Sequence, residues 1–361
     1  MTGMPKSYLE PLVVRGRISK PQPKRLPVVN LGFNELPYGP TPKVAAALQD
    51  TLPHTYAYGS PYCDALRAGL AVANGLDADE MICGNGSEEL LDVIARNYAR
   101  VGDEILISAY GYIQFEMCAR RQGATIVKAP ETDFTTDVDA LLAAVTERTK
   151  LLFLANPNNP TGTVLSLSEM GRLVENVPSH IMVVLDLAYG EFVDNGFCRS
   201  VHDLAKGRKN VIVTRTFSKA YGLAGLRVGW AHAPRDVLPG LYAARGMGSV
   251  NALAQAAAVA ALQDMDVVNG RVAEIVAERG RIAGVLTQRG IRVLPSATNF
   301  LMVSMGERER TEALVVHLFD DAGLVVARTR EAGLEDWMRF SLGTPAQNDM
   351  LLGSVARFLE R

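Results

Sequence analysis

Short apolar segments alternate with segments of helical pattern through the middle of the chain, and this alternation constrains the fold more than any other feature. The apolar segments are rich in β-branched residues and are bounded by Gly, Pro or Asn, as buried strands are. They occupy residues 105–108, 125–128, 151–155, 182–185, 211–214 and 227–231, with helical patterns at 88–100, 112–122, 138–146 and 168–176. Strands and helices in alternation predict an α/β fold with a mostly parallel sheet covered by helices on both faces.

Beyond residue 235 the order of the segments changes. A long helical region at about 252–288 precedes predicted strands at 291–294, 300–304, 324–327 and 337–342, and helices are predicted at 311–322 and 345–359. This mixture is typical of a smaller α+β domain. A chain of 361 residues is also longer than one hydrophobic core usually serves. We therefore expect an N-terminal arm at 1–30, a large domain at 31–238 and a small C-terminal domain at 239–361, joined by the long helix.

Composition and charge exclude several classes of function. The formal net charge is −2, so no overall field favours nucleic acid or an anionic membrane. No apolar stretch is long enough to cross a bilayer, and no apolar core of a signal peptide follows the basic residues of the N-terminus. The four cysteines and five histidines are dispersed without a metal-binding spacing. We expect a cytoplasmic chain with reduced thiols, without a metal site and without nucleic-acid or membrane partners.

Four short polar segments lie at the ends of predicted strands, where open α/β sheets collect ligands. They are GNGSE at 84–88, NPNNPTG at 156–162, DLAY at 186–189 and TFSK at 216–219, the last of which runs on to Arg227. Each segment alone also suits an ordinary turn, a polar loop or a solvated lysine. All four in this order form a much more specific pattern than any one of them.

In this order the four segments resemble those of the fold-type I aminotransferases, which use pyridoxal 5'-phosphate (PLP), and most of all those of the histidinol-phosphate aminotransferase group. The resemblance extends from about residue 30 to the C-terminus and is most specific in NPNNPTG and in SKAYGLAGLRVG at 218–229. It implies PLP as the cofactor and small-molecule amino-acid and keto-acid substrates. It also implies the type I fold, with a large sheet domain and a smaller α+β C-terminal domain.

The resemblance implies roles for the residues nearest to the cofactor ring. Lys219 is the amine that holds PLP covalently and, once substrate displaces it, acts as the base that moves the Cα proton. Asp186 keeps the pyridine nitrogen protonated, so that the ring accepts electrons. Tyr189 and Asn159 hydrogen-bond the phenolic oxygen of the cofactor, and Tyr110 stacks on the ring.

Further residues surround the cofactor phosphate by the same resemblance. Backbone amides at the start of a helix, together with the positive end of its dipole, favour a dianion. The groups implied are the amides of Gly86, Ser87 and Glu88, the hydroxyls of Thr216 and Ser218, and the guanidinium of Arg227. The Glu88 carboxylate is expected to turn away from the phosphate. Tyr56 matches the position from which these enzymes donate a hydroxyl to the phosphate of the neighbouring subunit, which implies a homodimer with a shared active site.

On the substrate side, Arg339 matches the arginine that clamps the α-carboxylate of the substrate. A bidentate pair there orients the Cα–H bond perpendicular to the cofactor ring. Asn34 and Asn299 fall in the matching segments near the substrate.

The sequence departs from the histidinol-phosphate pattern after residue 326. Those enzymes usually carry an arginine at the position of Ala327, where it helps to bind the phosphate of the substrate, and here Arg328 follows one place later. On a strand, a shift of one residue turns a side chain to the opposite face. Unless a local bulge restores Arg328 to the substrate pocket, a phosphorylated substrate loses a contact worth about 1.5–3 kcal/mol. An aromatic amino acid loses nothing.

Four hypotheses remain open at this point. The first is an aminotransferase of the histidinol-phosphate type, which exchanges an amino group between the glutamate/2-oxoglutarate pair and a second substrate by ping-pong half-reactions. The second is an aminotransferase of aromatic amino acids, which the aromatic segment at 110–115 favours. A PLP-dependent decarboxylase of a phosphorylated amino acid is disfavoured by Arg339, which holds the carboxylate in the ring plane. A PLP-binding regulator without turnover is disfavoured because the residues before Asn30 are too few and too rich in proline for a DNA-binding domain.

Overall fold

The computed structural model describes residues 27–194, 196–329 and 331–361, so most of the predicted arm, residues 1–26, lies outside the described residues. The strands are β1 (Val29–Asn30), β2 (Met81–Gly84), β3 (Glu104–Ser108), β4 (Thr125–Ala129), β5 (Glu131–Thr132), β6 (Thr135–Thr136), β7 (Thr149–Ala155), β8 (Met182–Asp186), β9 (Val211–Thr216), β10 (Gly229–His232), β11 (Arg292–Val293), β12 (Phe300–Ser304), β13 (Leu324–Val325), β14 (Ala327–Arg328) and β15 (Trp337–Ser341). The α-helices are α1 (Pro42–Thr51), α2 (Asp64–Asn74), α3 (Ser87–Tyr98), α4 (Ile113–Gln122), α5 (Val138–Ala143), α6 (Leu167–Asn176), α7 (Phe197–Ala205), α8 (Leu238–Ala244), α9 (Ala252–Leu262), α10 (Met265–Gln288), α11 (Arg308–Ala322) and α12 (Pro345–Leu359).

A seven-stranded sheet forms the centre of the larger part of the molecule, in the order β2-β10-β9-β8-β7-β3-β4. The strands from β9 to β4 run parallel to their neighbours, whereas β10 runs antiparallel to both β9 and β2. Helices cover both faces of this sheet, which confirms the fold class predicted from the sequence. Each strand predicted between residues 105 and 231 is present with nearly the same bounds.

Alternating side chains of the central strands build the cores on the two faces of the sheet. From β7, Phe153 packs in the layer under α3, α4 and α8, while its neighbours Leu152 and Leu154 pack in the layer under α5, α6 and α7. All three side chains are buried. Because both faces are covered, the strands are apolar at successive positions instead of alternating between apolar and polar residues.

The register of the parallel strands brings three of their carboxyl ends together. Ala155 of β7 lies beside Asp186 of β8, and Asp186 lies beside Thr214 of β9. The polar segments that follow these strands therefore begin side by side at one edge of the sheet, which is where ligands bind in folds of this type.

A four-stranded antiparallel sheet, in the order β11-β12-β15-β14, forms the C-terminal part of the molecule together with α11 and α12. The predicted long helical region consists of two helices, because α9 ends at Leu262 and α10 begins at Met265. The buried alanines of α9 pack close against α1 and α2. The two sheets lie on either side of the predicted domain boundary at residue 238, and the division into domains stays a prediction.

The strand predicted at 324–327 is divided between two sheets. β13 pairs in parallel with β1, whereas β14 pairs with β15. The buried Val326 lies between the two short strands, where the chain changes its pairing partner. The described end of the predicted arm is thus joined to the C-terminal part of the same chain. Within the described ranges, no helix is both long and apolar enough to cross a membrane.

Candidate active site

A cavity of about 260 Å³ lies at the carboxyl ends of β7, β8 and β9. Its wall contains residues from the ends of these strands, from the first turn of α3, from the loop after β1 and from β15. Many of the side chains predicted for the site meet here: Asn34, Ser87, Glu88, Asn159, Asp186, Tyr189, Thr216, Ser218, Lys219, Arg227 and Arg339. The cavity therefore combines an amine, carboxyl groups, guanidinium groups and hydroxyls around one space.

Lys219 provides the amine of the cavity. Its Nζ donates hydrogen bonds to the backbone carbonyls of Phe33, at 3.2 Å, and Asn34, at 3.0 Å. Burial lowers the pKa of Lys219 to about 8, and the positive charge of Arg339 contributes to this shift. A substantial fraction of the amine is thus neutral near physiological pH, as a nucleophile or a base requires.

Asp186 provides a carboxyl group at the end of β8. The residue is only 2% exposed, and its Oδ1 accepts a hydrogen bond of 2.9 Å from the Thr214 hydroxyl. Burial raises the pKa of Asp186 to about 7, because a charge is unfavourable in this environment. A cation placed against this carboxyl group would restore its ionised form.

A buried network of side chains holds Tyr189 in the cavity wall. The Nδ2 of Asn34 donates a hydrogen bond of 2.9 Å to the Tyr189 hydroxyl, and the Asn34 amide donates one of 2.8 Å to Ser341 Oγ. Asn299 does not line the cavity; its Nδ2 donates instead to the Asn34 carbonyl, at 3.1 Å. Burial raises the pKa of Tyr189 to about 12. The network thus presents a protonated phenol at a fixed place.

Arg339 reaches the cavity from β15 and lies beside Asn159. Its Nη1 donates a hydrogen bond to Asn159 Oδ1, its Nη2 donates one of 3.0 Å to the Gly32 carbonyl, and its guanidinium lies 5.2 Å from the ring centre of Phe300. The peptide bonds from Asn156 and from Asn159 to the following prolines are both cis. The hydrogen bonds to Asn159 and to the Gly32 carbonyl fix the direction of the Arg339 guanidinium toward a ligand.

A cradle for an anion is formed where α3 begins. Gly86 precedes the helix with a φ of 79°, and a Cβ at this position would lie 2.5 Å from Nη2 of Arg227. Only glycine therefore allows the guanidinium to approach the start of the helix this closely. Nη1 of Arg227 donates to Ser218 Oγ at 3.3 Å. The Glu88 carboxylate does not turn away, contrary to expectation, because it forms an ion pair of 3.3 Å with Arg227.

Of the two tyrosines that follow β3, Tyr112 lies in the cavity wall, whereas the sequence predicts Tyr110. Tyr110 instead stacks on Phe134, with 5.9 Å between ring centres, in a separate apolar cluster. A turn follows β3 and is closed by a hydrogen bond from the Gly111 amide to the Ser108 carbonyl. This turn directs the side chain of Tyr110 into the cluster. The Tyr112 hydroxyl donates a hydrogen bond of 2.6 Å to Glu88 Oε1. This placement corrects the prediction for Tyr110.

Arg328 does not reach the cavity, which corrects its predicted contact with substrate. β14 pairs with β15 in regular register, so no bulge turns the side chain inward. Arg328 faces outward, and its Nε donates a hydrogen bond of 2.8 Å to Glu312. The shift of the arginine by one residue, from position 327 to 328, therefore directs its side chain outward, as the alternation of side chains along a strand predicts.

Several residues of the cavity wall are not predicted from the sequence, among them Phe33 and Glu331. Phe33 directly precedes Asn34, so the sequence segment that indicates Asn34 also contains Phe33. Glu331 lies in the connection between β14 and β15, and nothing in its sequence context indicates a site. Tyr56 is 86% exposed on the surface of the chain and is not part of the cavity wall.

Comparison with known proteins identifies close relatives. The family model for aminotransferases of class I and II matches residues 27–355. The histidinol-phosphate aminotransferase of Sphingopyxis alaskensis is 45% identical over 324 residues, which cover 88% of this chain and 87% of that protein. The histidinol-phosphate aminotransferase of Paramagnetospirillum magneticum is 39% identical, with 92% of each chain covered.

A solved structure is also similar over most of its length. The histidinol-phosphate aminotransferase of Sinorhizobium meliloti, crystallised in complex with pyridoxal-5'-phosphate, matches with a TM-score of 0.87 at 30% identity. The match covers 92% of this chain and 91% of that chain.

Proposed function

The chain belongs to the class I and II aminotransferase family, and we propose that it exchanges an amino group between the glutamate/2-oxoglutarate pair and histidinol phosphate. The observation that carries this proposal is the placement of the Lys219 amine, the Asp186 carboxyl group and the Arg339 guanidinium in the wall of one cavity. Histidinol phosphate is supported by the 45% identity to the enzyme of that name from Sphingopyxis alaskensis.

PLP is the cofactor of this enzyme, and the residues of the cavity fit its functional groups. An aldehyde requires a neutral amine, which Lys219 provides. A ring nitrogen that carries a proton requires a buried acid, which Asp186 provides. A phosphate requires amides and a cation, which the start of α3 and Arg227 provide. Because Gly86 has no side chain, the Arg227 guanidinium has room beside the start of the helix. We infer that these residues, with Ser87, Thr216 and Ser218, hold the cofactor.

The protein's own groups control the movement of protons. When bound, PLP supplies an electron sink that allows a bond at the substrate's Cα to break. The Nζ of Lys219 accepts the proton from that carbon, and a pKa near 8 suits a base that works close to neutral pH. Asp186 keeps a proton at the ring nitrogen through its buried carboxyl group. We expect Tyr189 and Asn159 to donate hydrogen bonds to the phenolic oxygen of the cofactor.

Arg339 determines how the substrate is oriented. Its guanidinium is held by Asn159 and by the Gly32 carbonyl, so its direction in the cavity is fixed. A carboxylate of glutamate or a phosphate of histidinol phosphate can form a charge-assisted pair with this group. Holding the anion there orients the Cα–H bond for removal of the proton, and does not orient the carboxylate for loss of CO₂.

A second candidate substrate is an aromatic amino acid. Ala327 occupies the place where a cation for a second phosphate contact is expected, and Arg328 is directed away from the cavity. Tyr112 and Phe33 contribute aromatic surface to the cavity wall. An aromatic side chain would pack against this surface without needing a further cation.

Single-turnover kinetics separates the two substrates. The purified enzyme loaded with PLP is mixed in turn with histidinol phosphate, phenylalanine, tyrosine and aspartate, and the absorbance of the cofactor is followed. We expect histidinol phosphate to convert the cofactor to its amine form fastest. Conversion by phenylalanine and tyrosine alone would contradict histidinol phosphate as the substrate and would support the aromatic alternative. Release of CO₂ from any substrate would contradict amino transfer.

We also propose that the enzyme is a homodimer in which Tyr56 contacts the phosphate bound by the partner subunit. Tyr56 and Tyr58 are almost fully exposed in the single chain, and Leu52 and Tyr62 nearby are exposed as well. An exposed group of large apolar side chains is typical of an interaction surface. Sedimentation equilibrium should give the mass of a dimer, and Tyr56→Phe should weaken PLP binding. A monomer with full activity would contradict this proposal.

A further inference from the structure

The carboxylate of Glu88 contacts both Arg227, at the start of α3, and Tyr112 in the cavity wall. Its Oε2 lies 3.3 Å from Nη2 of Arg227, and its Oε1 accepts a hydrogen bond of 2.6 Å from the Tyr112 hydroxyl. We propose that Glu88 is an internal competitor of the cofactor phosphate for Arg227, and that it lowers the affinity of the site for PLP. The proposal rests on Arg227 as a phosphate ligand, which is part of the function proposed above.

Arg227 is held in place independently of Glu88. Its Nη1 donates hydrogen bonds to Ser218 Oγ at 3.3 Å and to the Ala224 carbonyl at 3.4 Å. Its backbone has a φ of 55°, and its Nη2 already lies against Gly86, 2.5 Å from where a Cβ at that position would stand. A phosphate that binds at the start of α3 must therefore take the place of the Glu88 carboxylate on a guanidinium that stays where it is.

The Glu88 carboxylate can move away from Arg227. About half of its side chain is exposed, so the carboxylate can rotate into solvent without leaving a buried charge. Its backbone amide lies in the first turn of α3, where amides favour an anion. Backbone and side chain of one residue thus act in opposite directions, because the amide attracts a phosphate and the carboxylate repels it.

The hydrogen bond from Tyr112 gives this competition a second consequence. Tyr112 lines the cavity, and its hydroxyl is tied to the same carboxylate that contacts Arg227. When the carboxylate leaves Arg227, the hydroxyl either follows it or loses its acceptor. Glu88 is therefore also a positioning residue for Tyr112. Its neutral analogue Gln keeps an oxygen that can accept the hydrogen bond from Tyr112.

The test is the affinity of the cofactor-free apoprotein of Glu88→Gln for three probes: PLP, pyridoxal, which lacks the phosphate, and inorganic phosphate. Glutamine has nearly the same shape but lacks the charge that opposes the phosphate. Because both Glu88 and Arg227 are partly exposed, solvent screens their interaction. We expect dissociation constants for PLP and for inorganic phosphate to fall about tenfold, which corresponds to about 1.4 kcal/mol. The dissociation constant for pyridoxal should change by less than about twofold.

Glu89→Gln is the matched control, because Glu89 lies in the same turn and contacts the Asn85 amide, not Arg227. An equal gain in Glu89→Gln would show that overall charge is responsible and would overturn the proposal. An unchanged or weaker affinity of Glu88→Gln for phosphate would overturn it as well, and so would an equal gain for pyridoxal. If Glu88→Gln is poorly folded by circular dichroism, Glu88→Ala serves with the same expectation for inorganic phosphate. These binding measurements do not depend on which amino acid the enzyme converts, so a failure of the substrate assignment is distinguishable.

Discussion

Ala327 lies directly opposite Arg339 in the antiparallel pair of β14 and β15. Residues in register on neighbouring strands carry their side chains on the same face of the sheet. The methyl group of Ala327 is therefore on the face from which Arg339 enters the cavity, while Arg328 lies on the other face with Glu312. The resemblance predicts Arg328 near the substrate, but the alternation of side chains along β14 directs it to the opposite face.

Arg328→Ala should leave catalysis unchanged. Because the side chain faces away from the cavity and forms a partly exposed ion pair, its removal should change kcat/KM by less than twofold and reduce stability by at most about 1 kcal/mol. Steady-state kinetics with histidinol phosphate and urea unfolding measure the two effects. A large rise in KM would show that Arg328 contacts the substrate.

Ala327→Arg should add a cation to the substrate side of the cavity. A charge-assisted contact to a phosphate is worth about 1.5–3 kcal/mol, so KM for histidinol phosphate should fall on the order of tenfold or more. KM for phenylalanine should not fall. Ala327→Met, which adds volume without charge, is the control. If the methionine variant gives the same change, packing and not charge explains the effect.

Arg339→Gln should raise the pH at which Lys219 becomes reactive. Burial and the charge of Arg339 lower the pKa of Lys219 to about 8, so the amine of the parent apoprotein is neutral above this pH. The rate at which the apoprotein binds PLP covalently should rise with pH and level off above about 8. Without the neighbouring guanidinium, the midpoint should move upward. An unchanged midpoint in the variant would mean that Arg339 does not influence the amine.

Asp186→Asn should stabilise the apoprotein in a pH-dependent manner. The folded-state pKa of Asp186 is raised to about 7 from 3.8, so the folded protein binds a proton between these values that the unfolded chain does not. The stability that this proton provides is present at low pH and is lost as the pH rises through 7. The variant should therefore gain up to about 3 kcal/mol more over the parent at pH 8 than at pH 5. Urea unfolding at both pH values measures this difference, and an equal effect at both would contradict a raised pKa.

The pattern of apolar segments was sufficient to predict the centre of the fold. The strands that form the parallel sheet are buried on both faces, and their runs of apolar residues distinguish them from the helices between them. In the C-terminal part, β12 and α12 have the bounds that the sequence predicts. By contrast, β2 is a short strand at the edge of the sheet, and α2 consists largely of small and polar residues, so neither has a strong pattern of its own.

Side-chain direction in the loops was the part that the sequence did not predict. Whether Tyr110 or Tyr112 enters the cavity depends on the turn at Gly111, since both are tyrosines that follow the same strand. The contact of Glu88 with Arg227 joins residues far apart in the chain, and only the assembled sheet brings them together. For Arg328, in contrast, the alternation of side chains along a strand was enough to indicate the outward direction.

Every role assigned to the cavity depends on covalent binding of PLP at Lys219, which is measured by borohydride reduction of the PLP-loaded protein followed by peptide mapping. We expect the reduced cofactor on the peptide that contains Lys219, and we expect Lys219→Ala, although folded, to take up no label. Label on a different lysine of the parent protein, or no label at all, would show that Lys219 is not the amine that holds the cofactor.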